Sequence, residues 1–538
     1  MPLHPTFILP FLLILLTIPL YNHILHPIFL SPLAKIPSAH PTVCLSSAWL
    51  KWQKYRGKLN PVLLAAHKRW GPVVRVGPRE VSVNCVKGGL QTVYLGGFEK
   101  DGFYQQLFGN LGTSPMVAIR SSKPHSIRKR MVTHIYSKSS IQTSTDLRAI
   151  AHTVLLNRLL PVLHSAAKAS SPVDAWSLLG GVAIDISTGY IFGLDASSDL
   201  TSKEEYRREV EKWFYSLRPY SFWTQEMPGL TSFLRKIGIK LIPNAAKATA
   251  GGVERFVTQM CDKAAEKIAP SKYGPEGGNK ESHVLRPVGH YPTVYAQLSS
   301  AMCKDALKSG LSKQTVRKNM AGELMDHTLA GYETSQLTLT YLVWELSRHR
   351  NLQDALRAEL RKLQPPVKAG ESRLPDPKVL DALPLLHAIL WETLRLYPGT
   401  PGPQPRVTPE VAGGSTLGPP GAEYAGISGG VRVAAAAYCL HRNEDVFPQP
   451  EVWLPERWLD GQGRKERAIE MGRWFWAFGS GGRMCIGNHL AIYQIKFIVA
   501  ALYTSFTTSI VDDEGIEPSG HFVAHPISKK LVVRFQEA

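Results

Sequence analysis

Residues 478–487, FGSGGRMCIG, constrain this chain more than any other stretch of its 538 residues. They fit the pattern F-x-x-G-x-R-x-C-x-G, whose fixed places are held by Phe478, Gly481, Arg483, Cys485 and Gly487. Glycines let a backbone turn tightly and come close to a flat ligand. The apolar stretch NHLAIYQIKFIVAALY follows at once, so we expect the Cys485 sulfur near a helix N-terminus. The helix dipole and nearby backbone N–H groups favour a thiolate at such a place.

A thiolate at such a position predicts that Cys485 is a metal ligand. Thiolates are soft, strongly donating iron ligands of the kind that supports O–O bond cleavage on a haem. Arg483 is well placed to neutralise a haem propionate. Cys485 alone would be interpreted as a buried, inert cysteine, but the surrounding pattern favours a ligand.

The segment resembles the haem-binding signature of the cytochrome P450 superfamily. The resemblance implies a mainly α fold with minor β structure (α+β), in which haem b lies between a long helix and the cysteine loop. It implies that Cys485 ligates the iron. It further implies cofactor contacts from Arg483, Phe478, Gly481 and Gly487.

A second motif is ETLR, within LLHAILWETLRLYPG, where Glu392 and Arg395 share one helix face. The same spacing occurs elsewhere in pairs that we expect to be mostly solvated and of little worth: Glu204/Arg207, Glu205/Arg208, Glu345/Arg348 and Glu470/Arg473. The ETLR pair differs because apolar residues flank it, so we expect it to be buried. A buried ion pair needs further hydrogen bonds to compensate its charges. The resemblance implies that Arg457, in PERW, completes a structural triad with Glu392 and Arg395.

A third motif is AGYETS, residues 330–335, in a long stretch with helical periodicity. Thr334 can donate to a carbonyl one turn earlier and loosen the helix. A mid-helix threonine and a surface glutamate are the ordinary interpretation. The resemblance implies instead that Glu333 and Thr334 are catalytic and deliver protons by general acid action.

The basic segment HSIRKRMVTHIYS begins at His125. Related proteins often carry Trp-x-x-x-Arg here, so the resemblance implies that His125 and Lys129 contact a haem propionate. Arg406, in PGPQPRVTP, matches a further propionate position. A lysine is a point charge rather than a planar fork, so a solvated basic face is an equally good interpretation. Such a face would also suit an acidic reductase domain.

The N-terminal run from residue 7 to residue 30 has no Lys, Arg, Asp or Glu. As a helix it would reach about 36 Å, more than the roughly 30 Å of a bilayer's hydrocarbon core. A cleaved signal peptide is the alternative, although no basic residue precedes the run and no clear A-x-A site follows it. Basic residues follow the span, which favours a cytoplasmic body. We predict a single-pass endoplasmic reticulum anchor (1–30), a Pro-rich hinge (31–45) and one cytosolic catalytic domain (46–538).

Composition narrows the remaining classes. A net charge of +19 favours anionic partners, but no finger-like or RNP-like motif supports nucleic acid. The six cysteines are too scattered for a disulfide scaffold. Patterning predicts a hairpin near Val73–Val83, helices over 139–331 broken by a loop at 270–283, and turns with small strands over 399–433.

The resemblance implies a monooxygenase that inserts one oxygen atom from O2 into an apolar small molecule, by hydroxylation, epoxidation or successive oxidations, in secondary metabolism. No GxGxxG follows a strand and opens a helix, so NADPH electrons must come through a separate reductase, with a small haem protein as a further possible donor. The alternative is a haem-thiolate isomerase or dehydratase without O2 or reductase, which commonly lacks the acid–Thr pair. A haem sensor or carrier would need neither proton relay nor anchor. Expected pocket segments are residues 103–116, 220–230, 400–404, 521–525 and the helix before Thr334.

Overall fold

The computed structural model describes residues 17–268, 287–459 and 465–538. The predicted 270–283 loop and residues 7–16 of the predicted span lie outside them. The first half contains the helices α1 Ala48–Tyr55, α2 Leu59–Trp70, α3 Phe103–Phe108, α4 Ser122–Arg130, α5 Lys138–Thr143, α6 Thr145–His152, α7 Leu160–Lys168, α8 Ala175–Phe192, α9 Glu204–Tyr215, α10 Ser221–Glu226, α11 Pro228–Lys236 and α12 Asn244–Ile268. The second half contains α13 Thr293–Ser309, α14 Lys313–Arg348, α15 Arg350–Leu360, α16 Pro377–Asp381, α17 Pro384–Leu396, α18 Ala437–Leu440, α19 Lys465–Trp474 and α20 Asn488–Ser505.

The strands are short and form three small sheets. They are β1 Val73–Gly77, β2 Glu80–Val83, β3 Glu99–Lys100, β4 Val173–Asp174, β5 Pro403–Val407, β6 Ser415–Leu417, β7 Tyr424–Ile427, β8 Arg432–Ala436, β9 Phe506–Asp512 and β10 Val532–Glu537. One sheet has the order β1-β2-β8-β5-β3, a second β4-β10-β9, and β6 pairs with β7. Helix therefore dominates with minor sheet, which confirms the predicted α+β class.

The predicted hairpin is confirmed at β1 and β2, which pair antiparallel with Val73 opposite Val83. Apolar residues at alternate positions bury one face of such a ribbon. The Pro- and Gly-rich stretch over 399–433 carries β5, β6, β7 and part of β8, as expected from its turn residues. Parallel pairing of β2 with β8 joins these two parts of the chain.

The core is centred on α8 and α14, which cross at close range. Every residue of α8 is buried, as expected of a helix whose sequence is mostly apolar on all sides. Gly180 permits the close approach, since a Cβ there would lie 2.4 Å from the side-chain nitrogen of Gln336 on α14. Among the described residues α8 is also the one helix long and apolar enough to cross a bilayer, but its burial marks it as a core helix.

The N-terminal part of the described chain is helical and exposed. Residues 17–20 are α-helical and continue as a π-helix over Tyr21–Leu30, which buries no residue. The predicted hinge, residues 31–45, forms short 3-10 turns and buries Leu33, Ile36 and Val43. A side-chain nitrogen of Arg75 in β1 also donates to the carbonyl of Pro27 at 2.8 Å. Bending at this segment would therefore have to break contacts with the sheet.

Candidate active site

The cysteine loop (residues 478–487) lies directly before α20. The backbone N–H of Cys485 donates to the carbonyl of Phe478 at 2.9 Å and closes the loop. The residue Cys485 is exposed, while Phe478 is half-buried against the main core. The charge of Asp326 on α14 acts on the Cys485 thiol, so this loop and the long helix face each other.

Although Cys485 borders open space, the protein atoms packed around its sulfur desolvate the thiol and raise its pKa. The backbone N–H groups of Gly487 and Asn488 and the Lys129 ammonium act in the opposite direction. The predicted effect of the helix N-terminus is therefore present, but in the protein alone it does not outweigh burial. A bound cation at the sulfur would supply the missing stabilisation of the thiolate.

The two glycines of the motif have different surroundings. Gly481 has a φ of +69°, and a Cβ there would lie 2.4 Å from the backbone oxygen of Tyr94. Gly481 is therefore required by packing between two segments of the protein. Around Gly487, no atom of the described residues other than those of its chain neighbours lies within 4 Å of an added Cβ, so packing among them does not demand a glycine there.

Five basic side chains converge beside this loop, and we call them the basic cluster: Lys100, His125, Lys129, Arg406 and Arg483. Burial and the charges of the other four members lower the pKa of His125 to about 3, so its ring is neutral. Burial also holds the pKa of Lys100 well below its ordinary value, and the cations of Arg406 and Arg483 add to the effect. These shifts show that the cationic members repel one another, so their summed charge makes the cluster electropositive.

The hydrogen bonds of the cluster leave its positive charge uncompensated. The Lys100 ammonium donates to a backbone carbonyl at 2.6 Å, and Arg406 donates to the Tyr104 hydroxyl at 2.9 Å. Arg483 donates to the carbonyls of residues 119 and 120. Lys129 donates to the carbonyls of Gly482 and Met484, at 3.0 and 3.2 Å. Within the described ranges none of these four cations forms an ion pair, so the arrangement suits a ligand with carboxylates.

The third motif lies on α14, opposite the cysteine loop. Thr334 Oγ1 donates to the carbonyl of Ala330 at 2.9 Å, the back-bond that the sequence predicts. Ala330 is exposed in spite of its place in the middle of the core helix, so it borders open space. Glu333 is buried and accepts a hydrogen bond from Arg218, a partner that the sequence analysis did not predict.

Several of the expected pocket segments meet near Thr334. A Cβ on Gly399 would lie 3.2 Å from the Thr334 Cβ, so the loop after α17 abuts the long helix. The Phe522 ring lies 5.9 Å from that of Phe103 and 5.5 Å from that of Phe108. The aromatic residues of the 103–116 and 521–525 segments thus form one apolar wall.

The structural triad is brought together as the resemblance implied. Arg395 donates to both oxygens of Glu392, at 2.7 and 2.9 Å, and Arg457 donates at 2.9 Å. Burial acts to raise the pKa of Glu392, but the hydrogen bonds and charges of the two arginines outweigh it and lower the pKa. Of the other ExxR pairs, Glu470/Arg473 is exposed as expected. The expectation is wrong for Glu345, which is buried and bonded by the Tyr397 hydroxyl.

The sequence motifs do not identify three cations that the structure places at the site: Lys100, Arg218 and Lys529. None belongs to a motif, and each reaches its neighbours from a distant part of the chain. The strand and turn residues next to Lys100 do not indicate that its side chain is buried. Lys529 lies between Ser528 and Lys530, so a search for lysines with apolar flanks would not have found it.

Comparison with known proteins supports one family. A family model described as Cytochrome P450 matches residues 41–533. The cytochrome P450 monooxygenase sdnE of Sordaria araneosa is 26% identical over 94% of this chain and 93% of its own length. The cytochrome P450 monooxygenase hkm5 of Aspergillus hancockii is 25% identical over 98% of this chain and 95% of its own. The corresponding protein atr2 of Stereocaulon alpinum is 26% identical over 91% and 88%.

Proposed function

The chain belongs to the cytochrome P450 family and is a monooxygenase of that family, and from this premise we propose that it oxygenates an apolar small molecule at a haem ligated by Cys485. Membership implies a haem held by a cysteine thiolate, a small-molecule substrate and a redox partner. The relatives are fungal monooxygenases, which supports a place in secondary metabolism. The observation that carries the proposal is an exposed thiol beside a basic cluster whose cations form no ion pair with a carboxylate in the described part of the chain.

The donor set fits a haem. Cys485 would hold the iron, while Arg406, Arg483 and Lys100 would bind the propionates in place of water. Lys129 is bonded to the cysteine loop and His125 is neutral, so both would position the loop and α4 more than neutralise charge. A haem bound here supplies dioxygen activation, with one oxygen atom passing to the substrate and the other to water.

Thr334 and Glu333 are the groups through which protons would reach the site. The Thr334 hydroxyl is held by its bond to Ala330 and borders the open space. Glu333 must exchange its bond to Arg218 before it can pass a proton to Thr334 or to a water between them. The apolar wall of Phe103, Phe108 and Phe522 would exclude other water from the reacting atoms.

We further propose that the body is anchored by residues 1–30 to the endoplasmic reticulum membrane, with the catalytic domain in the cytosol and electrons from NADPH through a separate reductase. The helix α11 buries no residue. Leu230 and Phe233 on this helix are exposed, as are Ile237 and Ile239 directly after it. The basic residues Arg235, Lys236 and Lys240 lie among them in the sequence. Apolar side chains rimmed by basic ones suit contact with an anionic lipid surface.

The reduced, carbon monoxide-bound difference spectrum of the purified protein tests the iron ligand. We expect the haem-thiolate spectrum in the wild type, its loss in Cys485→Ser, and its retention in Cys303→Ser, whose cysteine is also exposed but lies on α13. Retention of the spectrum in Cys485→Ser would contradict the proposal. Incorporation of labelled O2 into product with NADPH and reductase separates oxygenation from isomerisation, since an isomerase would incorporate none.

A further inference from the structure

A second group of charged and ionisable side chains lies around Glu333, the neighbour of Thr334 on α14. We call it the distal cluster: Arg218, Glu333, His521, His525 and Lys529. Arg218 donates to Glu333. The Lys529 ammonium lies 4.4 Å from the centre of the Tyr215 ring. The His521 and His525 rings are 5.5 Å apart, and the Tyr215 ring is 6.0 Å from that of His525.

The distal cluster has more positive than negative charge. Burial lowers the pKa of His525 to about 4 and also lowers that of His521, so both rings are neutral at physiological pH. Two cations then face one carboxylate, because Glu333 is the carboxylate that acts on both Arg218 and Lys529. Within the part of the chain that the structure describes, the Lys529 ammonium has no ion pair or hydrogen bond. A half-buried cation without such a partner is costly to desolvate, so an anion beside it is favoured.

His525 supplies an independent sign that a polar group is missing. The residue is 4% exposed, and its Nδ1 is 3.0 Å from the carbonyl of Pro526. Its Nε2 is buried and, among the residues that the structure describes, has no hydrogen-bond partner, so in the neutral ring it is an unused acceptor. An anion nearby would favour the protonated form of the ring, in which Nε2 donates.

The distal cluster is continuous with the apolar wall of the active site. The backbone N–H of Ala524 donates to the carbonyl of Gly399 at 3.4 Å, and Gly399 abuts Thr334. Phe522, between the two histidines, packs on Phe103 and Phe108. An elongated molecule with its apolar part on these rings would extend toward the distal cluster, where the Lys529 ammonium suits a terminal anionic group.

We propose that the substrate is an apolar compound bearing a carboxylate, which Lys529 and Arg218 bind. This inference rests on the proposed function, because it takes the space beside Thr334 as the substrate chamber. The substrate carboxylate competes with Glu333 for Arg218. Its binding would free Glu333 to move a proton, which links occupancy of the chamber to catalysis.

Calorimetric titration of the full-length haem-loaded protein at neutral pH tests the inference with two matched probes, 6-phenylhexanoic acid and its methyl ester. A hydrogen-bonded charge pair predicts that the acid binds about tenfold more tightly than the ester. Lys529→Met should weaken binding of the acid by about tenfold and leave the ester within about twofold. Lys530→Met is the matched control, because the adjacent Lys530 pairs with Asp512; it should change neither affinity.

Equal affinity for acid and ester, failure of both to bind, or an equal effect of Lys529→Met on the two probes would overturn the inference. The carbon monoxide difference spectrum of the same preparation separates this failure from failure of the proposed function. A protein that shows the haem-thiolate spectrum and does not discriminate the probes disproves the carboxylate site alone. A protein without that spectrum disproves the proposed function, whatever the probes do.

Discussion

Two buried glutamate–arginine pairs in this protein have opposite surroundings. Glu392 accepts from Arg395 and Arg457, from the indole N–H of Trp458 at 2.8 Å and from a backbone N–H, and its side chain is 0% exposed. Glu333 pairs with Arg218 next to Thr334 on α14, and their side chains are 10% and 22% exposed. The first carboxylate is saturated by donors, and no solvent reaches its own atoms. The second can exchange its partner.

The difference shows how one kind of ion pair serves two purposes. A buried carboxylate with all its lone pairs used holds α17 to the segment Pro455–Trp458, and breaking it leaves an uncompensated charge. A carboxylate at the edge of a cavity can lose one partner to water or to a ligand at a smaller cost. The first pair is therefore suited to hold the core, and the second to respond to an occupant.

The largest effect is expected for Arg395→Met. The change leaves Glu392 buried without its bidentate partner, and we expect a loss of about 3–5 kcal/mol in the free energy of unfolding. Urea unfolding followed by tryptophan fluorescence measures it. A loss below about 1 kcal/mol would show that Arg457 and Trp458 suffice to hold the carboxylate.

A smaller effect, on turnover rather than stability, is expected for Glu333→Gln. Loss of the acid should lower oxygenated product per unit time by roughly 100-fold. The unfolding midpoint should fall less than in Arg395→Met, because the Glu333–Arg218 pair is partly exposed whereas the Glu392–Arg395 pair is fully buried. Glu209→Gln, on the exposed face of α9, is the control. A rate within about twofold of wild type would remove Glu333 from the proton path.

The next effect is a pH dependence centred on His441, which lies beside Arg395. Its Nδ1 donates to the carbonyl of Arg395 at 2.8 Å, and its Nε2 accepts from the backbone N–H of Trp476 at 2.7 Å. Burial lowers the pKa of His441 to about 3, and the neighbouring Arg395 and Arg442 cations add to this. The unfolded chain, with a pKa of about 6.5, binds the proton first, so stability is lost as pH falls below that value.

This loss amounts to at most about 1.4 kcal/mol per pH unit for one histidine. The free energy of unfolding of wild type and His441→Asn, measured at several pH values between about 7 and 5, gives the two slopes. We expect a shallower slope in the variant. Equal slopes would mean that other buried histidines, such as His67 and His387, carry the whole dependence.

The smallest effect is expected for Arg473→Ala, which removes an exposed ExxR pair with Glu470. Solvent screening limits the loss to about 0.5 kcal/mol or less. The same unfolding measurement applies. A loss in the free energy of unfolding as large as that of Arg395→Met would contradict the distinction between the exposed and the buried pair.

The parts of the site that depend on spacing along the chain were predictable. The loop around Cys485, the Thr334 back-bond and the choice of Glu392 and Arg395 over the other ExxR pairs follow from local sequence and apolar flanks. The hairpin of β1 and β2 follows from alternation. The partner of Glu333 does not, because Arg218 lies 115 residues away and belongs to no motif. A tight turn near a flat ligand was the expected reason for Gly481, whereas the structure shows that it also packs closely against the backbone of Tyr94.

The sequence by itself determined the family, the cysteine loop, the acid–alcohol pair on the long helix and the arginine–glutamate helix, because each depends on residues within a few positions of one another. Only the tertiary structure decided which charges are paired and which are left over. Among the described residues, it left Lys100 and Arg406 without an ion pair beside the cysteine loop and Lys529 without one near Thr334. Charge compensation depends on which distant elements meet and how far they exclude water, and neither can be read from spacing along the chain.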